Sequence, residues 1–181
     1  MSENTDQKNN TLSNVQGQLR LSERIAAFIP GFRGYKEKEI RRESDRLIRN
    51  HLYLKLSADK NDLRELAQKL TDRRYFDVMT DLDRLQAKMD RVVEKVNHAS
   101  YGYSGFFDAV KVKEDSLDRM IDFDNKLLDG VNDLTAQVGV FKADFVGGNT
   151  SNLKVDVQAV SDKLEAFEDT FDSRQEIISG V

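Results

Sequence analysis

Between Phe106 and Phe145 the apolar residues recur in steps that alternate four and three. The positions are Phe106, Val110, Lys113, Leu117, Met120, Asp124, Leu127, Val131, Leu134, Val138, Phe141 and Phe145, and ten of the twelve are apolar. A repeat of 3.5 residues keeps one seam of a helix turned toward a partner helix. Phe107, Ile121 and Leu128 widen the stripe, as suits a helix that touches two neighbours. The pattern predicts one long central helix, roughly 60 Å at 1.5 Å per residue. Gly130 and Gly139 are where it would bend or break, because glycine costs about 1 kcal/mol relative to alanine inside a helix.

Shorter stripes of the same period flank it. One runs Tyr75, Val78, Leu82, Leu85, Met89, Val92, Val96 and Ala99; the other runs Leu153, Val157, Val160, Leu164, Phe167, Phe171, Arg174 and Ile178. The breaks between them, SYGYSG (100–105) and VGGNTSN (146–152), are short and rich in glycine, so consecutive helices are expected to be antiparallel neighbours. Residues 73–181 therefore read as an antiparallel three-helix bundle.

The chain before residue 73 is patterned differently. Residues 1–14 are polar and aperiodic, the composition of a disordered tail. Val15, Leu19, Ile25, Ala26 and Ile29 mark a short amphipathic helix, ended by the proline and two glycines of IPGFRGY (29–35). A charged helix follows over 36–56, with opposite charges four apart at Glu37–Arg41, Arg41–Asp45 and Asp45–Arg49. Ser57–Asn61 reads as a polar break before another short helix at 62–70. The fold class is all-α: an elongated antiparallel bundle of three long coiled-coil-like helices, with shorter N-terminal helices over 15–72 completing one cooperative unit.

Composition narrows the chemistry. One proline, no tryptophan and 33% charged residues fit a helical protein. The absence of cysteine excludes disulfides, thiolate zinc sites and a cysteine nucleophile. Residues 1–18 hold no apolar core of a secretory signal, and no apolar run approaches the roughly 20 residues of a membrane span. A cytoplasmic location is the default expectation.

Charge is uneven. Residues 1–74 carry 16 Lys+Arg against 11 Asp+Glu, net +5; residues 75–181 carry 12 against 21, net −9. A basic region docking on an acidic bundle, within or between molecules, accounts for this. Nucleic acid is not an expected partner, because Glu37, Glu39, Glu43 and Asp45 nearly cancel the arginines among them. The two histidines make no paired Glu-x-x-His motif, and neither phosphate-binding glycine motif occurs. No catalytic, cofactor-binding or metal-ligating residue is assigned, and no cofactor is expected.

The candidate residues are of two kinds. Phe32, Arg33 and Tyr35 in the glycine turn, with Arg41, Arg42 and Arg46 along the next helix, are candidate contacts to a partner. The turn aromatics also suit a simpler role, a staple fixing the angle between two helices. Lys113 and Asp124 occupy seam positions of the central helix and are candidate buried polar residues. A buried charge needs a partner, and inward polar residues often set helix register. Arg174 falls on the last stripe, but near the chain end, where it should reach solvent.

Two stretches, IPGFRGYKEKEIRRESDRLIRNHL (29–52) and YGYSGFFDAVKVKEDSLDRMIDFD (101–124), resemble a family of small helical prokaryotic proteins that is itself uncharacterised. They cover 48 of 181 residues, and the resemblance implies no activity. The function expected from the sequence is therefore a non-enzymatic helical scaffold acting through contacts with other proteins or with copies of itself. The alternatives are a peripheral adaptor that lays the basic N-terminal segment on a membrane surface, and a small-ligand binder or enzyme with a site between helices.

Overall fold

The computed structural model describes Gly17 and residues 19–35, 37–99 and 114–179. The expected tail at 1–14, the turn at 100–105, the start of the central stripe at 106–112 and the candidate Lys113 lie outside the described residues. Among the described residues there are five α-helices and no strands. They are α1 over 19–28, α2 Lys38–Asp72, α3 Met79–His98, α4 Glu114–Gly147 and α5 Leu153–Ser179. The molecule is an all-α helical bundle.

The break expected at 57–61 does not occur: α2 runs through it as one helix of 35 residues. The segment contains no glycine or proline to stop a helix. Its apolar seam continues on either side through Ile48, Leu52, Leu56, Leu63, Leu66 and Leu70, all buried. Asp59 fills the seam position between Leu56 and Leu63 and is itself only 2% exposed. A carboxylate at a core position imitates a polar gap in the pattern. The N-terminal region therefore contributes a full-length helix, and the bundle has four long helices rather than three.

The four pack as a ring in the order α2, α3, α5, α4. Cross-helix pairs set the directions. Lys60 and Arg64 of α2 meet Asp90 of α3, and Gln86 of α3 reaches back to the Leu63 carbonyl, so α2 and α3 are antiparallel. Asp133 with Lys163 and Asp124 with Arg174 make α4 and α5 antiparallel too. Lys55 with Asn132, and Asp62 with Lys142, run in the same order along both chains, so α2 and α4 are parallel neighbours. The same holds for α3 and α5, through Lys88 with Glu165 and Lys95 with Asp172. The bundle is two antiparallel hairpins lying side by side. The expectation that α3 and α4 are neighbours is corrected: they face each other diagonally, and each packs on α2 and α5 instead.

The central helix α4 is not broken at Gly130 or Gly139. A Cβ built at Gly139 meets nothing within 4 Å, and the position is exposed. Gly139→Ala is therefore expected to stabilise the protein by up to about 1 kcal/mol, through helix propensity alone. An unchanged or lower urea midpoint would show that α4 relies on flexibility there.

The N-terminal segment closes one end. Gly31 and Gly34 have φ of +89° and +82°, a region that side-chain-bearing residues avoid, and this folds 29–35 back against α2. Two side chains of α2 take up the turn's carbonyls. Ser44 Oγ donates to Gly34 O at 2.8 Å, and Arg41 Nε donates to Tyr35 O at 2.9 Å. Ile25, Ile29 and Phe32 are buried in the common core.

Candidate functional site: a buried arginine–carboxylate cluster

Arg174 is fully buried, contrary to its expected exposure near the chain end. Its seam position on α5 turns it inward, and the N-terminal turn covers that end of the bundle. Its Nε donates to Asp124 Oδ1 of α4 at 2.6 Å. Its Nη2 donates to Asp45 Oδ1 of α2 at 2.9 Å and to the Tyr35 hydroxyl oxygen at 3.2 Å. Asp45 also accepts from Arg49 Nε at 2.7 Å. One guanidinium thus ties together α2, α4, α5 and the glycine turn.

The electrostatics follow from burial. Asp124 is 0% exposed, and its Oδ2 has no hydrogen-bond partner among the described residues. Burial raises its pKa to about 6, although the Arg174 ion pair pulls the other way. Tyr35 is raised well above its usual value, first by burial and then by the Asp124 charge. For Arg174, burial disfavours the cation, but Asp124, Tyr35 and Asp45 outweigh it and hold the group well above the usual range. The guanidinium is the fixed charge of the cluster, and Asp124 is the carboxyl that titrates near neutral pH.

A second buried carboxyl lies further along α2. Thr135 Oγ1 is 2.9 Å from both Asp59 Oδ2 and the Val131 carbonyl. A hydroxyl has one proton to donate. Burial raises the Asp59 pKa to about 6, although the Thr135 hydroxyl donating to its carboxylate pulls the other way.

Asp124 meets Arg174 of the neighbouring helix α5, and Lys113 is outside the described residues. The partner-contact candidates divide. Phe32 is 7% exposed and Tyr35 0%, and their rings pack edge to face at 5.8 Å, so neither is an exposed contact. They hold the turn to the core. Arg41 is buried as well, because it binds the Tyr35 carbonyl. Arg33, Arg42 and Arg46 remain on the surface, with Arg46 bonded to both oxygens of Glu43. Asp45, Asp59 and Arg174 complete the buried polar set. Their signal was available, since each falls on its helix's apolar stripe.

The expected docking of a basic region on an acidic one is mixed in sign. Arg24 pairs with Asp129 and Lys60 with Asp90, but Asp45 and Asp62 of the basic region pair with Arg174 and Lys142 of the acidic one.

No family model, curated protein or solved structure matches the chain. Among the described residues, no group of three or more His, Cys, Asp or Glu is arranged to hold a metal ion, and no helix is long and apolar enough to cross a membrane.

Proposed function

We propose that the protein is a non-catalytic helical interaction module, which contacts other proteins through the end of the bundle carrying its two hairpin turns. One observation carries this reading. Phe76, Val146 and Val155 are 63%, 76% and 68% exposed at that end, where Asp77 beside Phe76 pairs with Lys154. All three flank the two turns at this end, and exposed apolar side chains that gather in one region are the ones that mark contact sites. The groups with the largest pKa shifts offer no competing site. Tyr35, Asp59, Asp124 and Arg174 are each at most 2% exposed, so no substrate touches them without the bundle opening.

The test compares the wild-type chain with Phe76→Ser/Val146→Ser/Val155→Ser. Sedimentation velocity over a range of concentrations reads self-association, and cross-linking in lysate reads other partners. The expected result is association or capture by the wild type that the triple variant loses. A wild type that stays monomeric and captures the same proteins as the variant overturns the proposal. The membrane-adaptor alternative has less behind it. Ile25 and Ile29 of the N-terminal segment are packed into the core, and the segment would have to lift off before meeting lipid.

A further inference from the structure

Along most of the bundle a cation on one helix meets an acid on the next. Lys60 and Arg64 reach Asp90, Lys88 reaches Glu165, and Lys95 reaches both Glu168 and Asp172. The pattern does not hold near the start of α2. Where α2 presents Arg46 and Arg49 to the last turns of α3, α3 answers with Val96 and Asn97. Among the described residues, the two arginines pair with carboxylates of their own helix. Arg46 Nε and Nη2 donate to Glu43 at 3.1 and 2.8 Å, and Arg49 Nε donates to Asp45.

A cavity of about 130 Å³ opens between the helices at this point, lined by Arg46, Arg49, Asn50, Tyr53, Val96 and Asn97. Among the described residues its polar lining is two guanidinium groups, two amides and a phenol, with no carboxylate. The pocket at the other end of α2 differs. It measures about 30 Å³, and Asp62 and Glu65 stand in its lining beside Lys69 and Lys142, so its charges are already answered.

We propose that the Arg46–Arg49 groove is a binding site for a small oxyanion, either a phosphate or a carboxylate. Guanidinium forks match the paired oxygens of both groups. The site is also pre-set. Asp45 is buried at 2% exposure and held from its other side by Arg174, so the partner of Arg49 is fixed in place, and among the described residues it engages Nε and leaves both Nη groups of Arg49 without a hydrogen bond. A donor fixed before the ligand arrives loses little freedom on binding. With Glu43 and Asp45 already opposing the two arginines, the groove suits one small anion and not a polyphosphate chain.

The test is a titration of the full chain with inorganic phosphate and, separately, acetate, with sodium chloride holding ionic strength constant. Thermal stability and the side-chain amide signals of Asn50 and Asn97 are followed together. The expected result is a saturable rise in Tm with saturable shifts of those two amides. Phosphate alone acting identifies a phosphoryl-type ligand, and acetate acting equally identifies a carboxylate; either supports the site. Arg46→Gln and Asn97→Asp alter exposed residues and leave the core untouched. Each is expected to weaken binding roughly tenfold or more, through loss of a charge-assisted hydrogen bond or addition of a repelling charge. A Tm that follows ionic strength alone, or variants that bind as the wild type does, overturns the proposal.

Discussion

Replacing Arg174 with alanine is expected to cost about 3–5 kcal/mol of folding stability, the range for removing one partner from a buried ion pair. The arginine and its two carboxylates are at most 2% exposed. Without the guanidinium, Asp124 loses the cation that offsets its buried charge and must take up a proton, and the Tyr35 hydroxyl loses the donor that holds it. Asp45 retains only Arg49. The ion pair itself need not be net stabilising, since taking both charges out of water consumes much of their attraction. Arg174→Met combined with Asp124→Asn is therefore expected to recover a large part of the loss. Urea denaturation of the three proteins measures this. A cost below about 1 kcal/mol for Arg174→Ala, the size of an exposed pair, would mean that the cluster is solvated.

The second large effect is a gain in stability on mild acidification. Asp59 and Asp124 have folded pKa values of about 6, above the ordinary aspartate value of 3.8. The folded protein therefore binds more protons than the unfolded chain between those values, and stability rises as pH falls through about 6. From pH 7 to pH 5 the two carboxyls together contribute about 2–3 kcal/mol. His51, lowered by partial burial and by Lys55, works against them as it becomes charged. The paired carboxylates Glu43, Glu65, Asp90, Asp144 and Glu168 are lowered from 3.8–4.5, so their stabilisation is intact above that range and is lost only in stronger acid. A maximum near pH 5 follows, with decline below about 4. Asp59→Asn and Asp124→Asn should each flatten the slope between pH 5 and 7. Equal slopes in wild type and both variants would show that these carboxyls are ionised throughout.

The helical class was legible because three largely apolar stripes repeat at 3.5 residues, and their described parts lie in α3, α4 and α5. The fourth helix was harder to read for a physical reason. Pattern reading treats a polar residue as surface, and in α2 the seam itself contains Asp45 and Asp59. The ring order was not legible at all. Period fixes which face of a helix is buried, but not which neighbour buries it, and the side-by-side pairing of α2 with α4 rests on cross-helix groups such as Lys55 with Asn132. Asp124 stood out as a charge on an apolar stripe. Arg174 stood on its stripe in the same way, and its place near the chain end concealed that the glycine turn folds over it.

The length of chain enclosed by the buried cluster bears on how the protein assembles. Each hairpin closes through contacts local in sequence, such as Arg64 with Asp90, 26 residues apart, or Asp133 with Lys163, 30 apart. Arg174 and Tyr35 are separated by 139 positions. Contacts of high sequence separation carry the largest loop-closure cost and so form after the local ones. Both hairpins can form while Asp45, Asp124 and Arg174 are still in water, where their charges cost nothing to maintain. The joining of one hairpin to the other is then the step that dehydrates them. Substitutions in the cluster would consequently act on the lifetime of the native state, by speeding its opening, more than on the rate at which it is reached.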